Sequence, residues 1–421
     1  MAPGRAVGAD FIGLSYETKA LWWGELRPDP SYVALLRALG PGNLRIGGNQ
    51  VEFGIWSEDG KPQMVDQRDY PIGPADARYL AAIAEGAGWS VTSGIALGHG
   101  EPHRSAAEAA GWQQALGPRL AGIEIGNEPD TLFRKARPAN YSYADYAREW
   151  REYAAVIDAE KRVSAPYAGP AAAHDTYGWT IPFATEFRGR IATLSHHYYH
   201  GSAGENPTIA QLLARDATFP QRLADMIAAA NAAGVPFRLS ETNSIGRGGT
   251  AGVSDSFAST LWGIRHMAQL LELGAVGVNF HGGGPANYTA IHWDATTRAY
   301  TARPLYYALQ AVAAMLPGRV YPCGATGEGP QASAAEIDTV AIGRDDGVLA
   351  ILVANAGTTA RMLTLDAGRA VRTVSVRRIA APALDATTGV RFGGPETVAP
   401  SGASTVTLPL PAISAALVEI R

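Results

Sequence analysis

Two glutamates stand where bond-breaking chemistry is possible. Glu128 sits in Ile125-Gly126-Asn127-Glu128-Pro129-Asp130, and Glu241 in Arg238-Leu239-Ser240-Glu241-Thr242-Asn243. Each follows a short apolar run that predicts a strand running into a βα loop. Two carboxyls held across a sugar are what acid-and-nucleophile cleavage of a glycosidic bond requires. An isolated Asn-Glu-Pro is more often a turn or cap, so the weight rests on whether the fold makes the two meet.

The elements that would position them are legible along the chain. Strands are predicted at 11–17, 43–48, 91–98, 121–128, 162–168, 193–199, 236–242 and 275–282, starting roughly every 38 residues, the size of a βα unit. Helical periodicity falls between them at 32–39, 76–85, 144–160, 220–233 and 254–273, and a last helix at 304–316 opens on proline. Gly40, Gly234 and Gly274 predict left-handed caps. This grammar predicts a (β/α)₈ barrel over residues 1–316, with Glu128 ending strand four and Glu241 ending strand seven, both in one mouth. Short alternating runs at 336–342, 348–354, 361–365, 373–379 and 405–410, split by turn signals, predict an antiparallel β-sandwich over 317–421, with the first few residues of the chain as a possible addition.

Composition narrows the function classes. The 421 residues are 47% hydrophobic and 18% charged, with a net charge of −4, so nucleic acid is not an expected partner and an anionic substrate needs a local basic patch. Cys323 is the single cysteine, which removes intramolecular disulfides and cysteine-based zinc clusters. No apolar run is long enough to span a membrane. The opening Met1-Ala2-Pro3-Gly4-Arg5 has no signal core, which fits a secreted or periplasmic protein without its leader, or a cytoplasmic one. No obligate protein partner is called for.

Several segments, in order, carry a resemblance. They are Leu44-Arg45-Ile46-Gly47-Gly48-Asn49, Glu124 to Pro129, His196-His197-Tyr198-Tyr199, Glu241-Thr242-Asn243-Ser244 with Gly248-Gly249, Val253 to Ala258, and Asn287-Tyr288. The series resembles the heparanase and β-glucuronidase family, glycoside hydrolase family 79 of clan A, over nearly the whole chain, and in a single-chain bacterial form. The resemblance implies Glu128 as acid/base and Glu241 as nucleophile of a retaining hydrolase, with no metal or organic cofactor. It implies substrate contacts from Asn127, His196 and Tyr198, with Tyr198 donating to Glu241. It also implies that Gly248, Gly249 and Tyr288 hold a uronate carboxylate. Glu17 and Asn49 end strands one and two beside the sugar, and both depart from the mammalian residues.

Elementary chemistry adds conditions. The acid must keep its proton near neutrality, and the nucleophile must stay ionised among donors. Neighbours on a strand point to opposite faces, so His196 and His197 cannot chelate one metal together, and only one of the pairs His196/Tyr198 and His197/Tyr199 faces the barrel interior. Arg45 inside strand two is expected to partner a carboxylate. Arg134 and Lys135, on the loop after Glu128, are either solvated charge or contacts for an anionic glycan. The expected substrate is a glucuronate-containing glycan, heparan sulfate cut internally. The alternatives are exo-cleavage of small or terminal glucuronides and a non-catalytic glycan-binding barrel.

Overall fold

The computed structural model describes residues 4–64, 66–131, 137–323 and 336–421. Eight parallel strands close into a barrel: Ile12–Glu17, Asn43–Gly47, Ser90–Ile95, Leu120–Ile125, Tyr167–Ala172, Ile191–Ser202, Phe237–Gly246 and Gly277–Gly282. Helices pack outside them through the apolar stripes that the sequence spaces at three and four residues, as in Pro74–Ala87, where Ala77, Leu80, Ile83, Ala84 and Ala87 are buried. Gly234 and Gly274 cap their helices with φ of +75° and +116°. The expected fold class, a barrel followed by antiparallel sheets, is the one found.

Strand five lies five residues later than expected. Arg162 folds back on Glu160, its Nε donating to Oε1 at 2.8 Å, and the strand runs through Tyr167-Ala168-Gly169-Pro170-Ala171-Ala172. Glycine, proline and alanine carry little strand propensity, so the segment reads as loop until the barrel closes around it.

The C-terminal region holds one large sheet, ordered Arg5–Val7, Gly318–Tyr321, Ile337–Gly343, Leu349–Asn355, Ser414–Ile420, Val374–Ala380 and Arg391–Phe392, with Glu396–Val398 also on Val374–Ala380. A second sheet pairs Arg361–Asp366 with Thr405–Leu410. The strand Ser414–Ile420 is central to the large sheet and absent from the sequence reading. One of its faces joins the barrel core through Ala415 and Leu417, and the other packs the small sheet through Ala416, Val418 and Ile420. Burial on both faces erases the alternation that marks a strand.

Barrel and sheets are joined by the helix Phe257–Leu273, buried along most of its length. Its first amides donate to the carbonyls of Ala386 and Leu384 at 2.9 and 3.0 Å, meeting needs that a helix N-terminus cannot meet itself. Arg265 reaches across to Asp338 at 2.8 Å. No helix among the described residues is long and apolar enough to cross a membrane.

One buried acid on the barrel exterior makes stability pH-dependent. Glu108, in the helix Pro102–Leu116, is 4% exposed. Burial pushes its carboxyl from 4.5 up to about 8, against the pull of the Trp112 indole. The unfolded chain ionises Glu108 above pH 4.5 while the folded chain keeps it neutral, so its contribution is complete below 4.5 and is lost as pH rises towards 8. Glu108→Gln is therefore expected to flatten the fall in melting temperature between pH 5 and pH 8. Equal slopes for the two proteins would contradict this.

Candidate active site

Strand four stops at Ile125, and Glu128 lies three residues beyond it, not at its end as the sequence suggested. Gly126 and Glu128 take φ of +82° and +45° and turn the chain across the barrel mouth. Left-handed backbone is strained for a glutamate and persists only where neighbours over-determine it. Here the Glu128 amide donates to the Ala171 carbonyl at 2.9 Å. The Asn127 amide donates to Glu52 at 3.3 Å. Asp130 accepts three backbone amides, from Ala173, His174 and Asp175. Glu52 and Asp130 thus fix this loop, and the sequence reading assigned neither.

Glu241 lies inside strand seven, which continues to Gly246. The register against both neighbouring strands shifts just after Leu239. This bulge inserts one residue and reverses which side chains face inward. Arg238 points to the barrel floor, donating to Asn279 at 2.9 Å, while Glu241 and Asn243 point into the mouth. Thr242 faces outward to His266 at 3.1 Å.

The two glutamates meet. One oxygen from each and a ring nitrogen of His197 lie within 4.8 Å of one another. His197 Nδ1 is 3.1 Å from Glu128 Oε1 and 3.9 Å from Glu241 Oε2. Arg45, fully buried, donates to Glu241 Oε2 at 2.7 Å, to Glu124 Oε2 at 2.6 Å and to Asn127 Oδ1 at 2.8 Å. Tyr199 Oη donates to Glu241 Oε1 at 2.8 Å. Burial would raise the Glu241 carboxyl, but His281, His197, Arg45 and the Tyr199 hydroxyl reverse this and hold it well below the usual carboxylate range. Glu241 is therefore held as the ionised carboxylate. Glu124, shared between Arg45 and the Ser195 hydroxyl at 2.7 Å, stays ionised as well.

The expected pair His196 and Tyr198 is not at the site. His196 faces the helical layer, with Nδ1 2.8 Å from the Thr180 hydroxyl, and burial lowers its pKa to about 3. Tyr198 stacks on Phe219 with centroids 3.7 Å apart and donates to Asp216 at 3.0 Å. The inward residues of strand six are Ser195, His197 and Tyr199. The pattern His-His-Tyr-Tyr is symmetric under a one-residue slip, so period-two alternation alone cannot choose the face. Ser195 Oγ on Glu124 is the contact that decides it.

The other candidates fall into place around the pair. Glu17 Oε2 accepts the Gln50 amide at 2.7 Å. Burial and the charge of Glu241 push its carboxyl up to about 8. Asn49 accepts from Asn127 Nδ2 at 3.2 Å, so Asn127 is held from both ends. His281, which the sequence reading did not assign, has its Nδ1 3.0 Å from Ser15 and 3.6 Å from Glu241. Gly248 and Gly249 take φ of +88° and +77°. A side chain on Gly249 would meet Ser254 and the Tyr288 amide at about 3 Å, so only glycine lets these loops touch. Asn243 ties them to strand seven by donating to the carbonyls of His281 and Tyr288. The Tyr288 ring lies 6.0 Å from Tyr199. Arg134 and Lys135 lie outside the described residues.

Glu128, His197 and Glu241 also have the donor set of a divalent-metal site. The Arg45 guanidinium already occupies the Glu241 oxygen nearest His197, and a metal there would stand against a fixed positive charge.

No family model matches the chain. A β-glucuronidase of Aspergillus niger is 30% identical over 229 residues, covering 48% of this chain and 42% of that protein. A β-glucuronidase of Neurospora crassa is 25% identical over 325 residues, covering 65% and 56%. The chain thus spans about half the length of the curated relatives it matches. Among solved structures, a 4-O-α-L-rhamnosyl-β-D-glucuronidase from Fusarium oxysporum superposes with a TM-score of 0.81 at 20% identity, over 99% of this chain and 97% of that one. An arabinofuranosidase of family 51 from Xanthomonas axonopodis pv. citri gives 0.74 at 17% identity, over 100% and 98%. These two likenesses are of fold.

Proposed function

We propose, from the likeness to the curated β-glucuronidases, that the chain is a retaining glycoside hydrolase acting on β-linked glucuronate. The observation that carries this reading is the approach of Glu128 and Glu241, with oxygens within 4.8 Å across one barrel mouth. So short a gap suits a nucleophile and an acid/base, whereas an inverting pair stands further apart to admit a water. Glu241 attacks the anomeric carbon as Glu128 protonates the leaving oxygen. Glu128 then draws a proton from water, which releases the sugar from Glu241 and restores both carboxyls. His197 sits beside Glu128 throughout, and Arg45 with Tyr199 aims the Glu241 carboxylate.

The glucuronate carboxylate fits the corner where Gly248 and Gly249 meet Tyr288, because positive-φ loops expose backbone N–H groups to anions. Glu17 and Asn49 take sugar hydroxyls in this reading. The finer form of the proposal is internal cleavage of a heparan-sulfate-like chain, with exo-cleavage of small glucuronides as its alternative. Incubation with an aryl β-glucuronide, the matching β-glucoside and size-defined heparan sulfate separates the possibilities. The glucuronide is expected to react on the order of 100-fold faster than the glucoside. Shortening of heparan sulfate supports internal cleavage, and release of glucuronic acid alone rejects it. Turnover of none of the three rejects the enzyme.

Tyr199→Phe removes a hydrogen bond to a charged group, worth about 1.5–3 kcal/mol. The expected result is a fall of about 10- to 100-fold in kcat/KM on the aryl glucuronide. Tyr198→Phe, whose hydroxyl serves Asp216 instead, is expected to change it by less than about threefold. The reverse order would reinstate the other face of strand six.

A further inference from the structure

The rim above strand one carries two tryptophans that the fold does not bury. Trp56, Trp89, Trp112, Trp150, Trp179 and Trp262 are buried and Trp293 is half-buried, whereas Trp22 and Trp23 are 50% and 42% exposed. Contiguous exposed apolar surface marks a binding surface, whereas single exposed residues are ordinary. Both lie on the short helix Lys19–Trp23, two residues past Glu17.

Their placement ties them to the site. Trp22 lies 6.3 Å from the buried Tyr70 ring, with the Lys19 ammonium 5.5 Å over its own ring. The Tyr70 hydroxyl donates to the Gln50 carbonyl, and the Gln50 amide donates to Glu17. Trp23 stands 3.4 Å from where a side chain on Gly284 would begin. Gly284, just past strand eight, donates its amide to Glu25 at 2.8 Å. The pair therefore bridges the loops after strands one and eight. In the closed order of the barrel those strands lie across from strand four, which leads to Glu128.

The leaving group must lie on the side of the acid/base. The opposite rim then faces the non-reducing side of the glucuronate. We propose that Trp22 and Trp23 form a stacking subsite for a second sugar attached to that side. The inference rests on the barrel being a glucuronide hydrolase and adds the size of the glycone it accepts. A pyranose presents a face of C–H groups that suits the face of an indole, and tryptophan supplies much contact area with few torsions to freeze. Lys19 steadies the Trp22 ring by its charge.

The test compares two aryl β-glycosides, one of glucuronate alone and one of glucuronate carrying a further sugar at O4. The Trp22→Ala/Trp23→Ala double variant is expected to lose about tenfold more kcat/KM on the two-sugar substrate than on the single-sugar one, and Trp22→Phe/Trp23→Phe to recover part of that loss. Equal losses on both substrates, or none on either, overturn the subsite. A dimer that dissociates in the alanine variant without this kinetic split assigns the surface to a second copy of the chain and also overturns it. If the unaltered protein cleaves neither substrate, the hydrolase reading fails first and the subsite falls with it. If it cleaves both and the split is missing, the subsite alone is wrong.

Discussion

Glu241→Gln is expected to lower kcat on an aryl β-glucuronide by about 10⁴-fold or more while leaving the fold intact. Glutamine matches glutamate in shape but cannot attack an anomeric carbon, and groups that act as one catalytic unit lose nearly all turnover when one fails. The surroundings make the effect specific. Glu241 is 4% exposed, and its two oxygens are held by Arg45 and Tyr199. The carboxylate is thus ionised and aimed before substrate arrives, and none of this transfers to a neutral amide. Circular dichroism and melting temperature check the fold. A variant that folds and keeps its turnover would leave only sugar binding to these carboxylates.

The second large effect is on stability. Arg45→Met is expected to destabilise the protein by about 3–5 kcal/mol in urea unfolding at pH 7, because it strands buried carboxylates without their cation. Among the described residues, Arg45 alone hydrogen-bonds Glu124, Glu241 and Asn127 together. Its charge works against burial to keep Glu124 below the ordinary carboxylate range, and it joins His281 and His197 in doing the same for Glu241. Depressed carboxyls contribute stability above their unfolded pKa and lose it as pH falls. The gap between variant and parent should therefore narrow as pH drops through about 4.5. A variant as stable as its parent at pH 7 would mean that the guanidinium does not balance these acids.

What the sequence made legible follows from where burial leaves a mark. The barrel strands announce themselves as short apolar runs between amphipathic helices, and Glu128 and Glu241 are found because each interrupts such a run at the same end. Strand five lacks that mark because, after Tyr167, its residues are alanine, glycine and proline. The strand Ser414–Ile420 lacks it because both its faces are covered. Within the site, Arg45 was readable, since a charge inside a barrel strand must meet a counter-charge. The choice between Tyr198 and Tyr199 was not readable. It depends on which face of strand six meets Glu124, a tertiary fact. The bulge after Leu239 is equally silent, for nothing in Leu-Ser-Glu-Thr signals an extra residue. Glu52 holds Asn127, next to Glu128, from 75 positions upstream, a partnership that exists only once strands two and four are near each other.

One measurement bears most directly on the central claim. Incubation with 2-deoxy-2-fluoro-β-glucuronosyl fluoride slows both steps through the electron-withdrawing C2 fluorine, while the fluoride leaving group lets the first step proceed. The expected result is a protein heavier by one fluoroglucuronosyl group, with peptide mapping placing the ester on Glu241. An unmodified protein under conditions where the aryl glucuronide is hydrolysed, or a label on any other residue, would contradict the account.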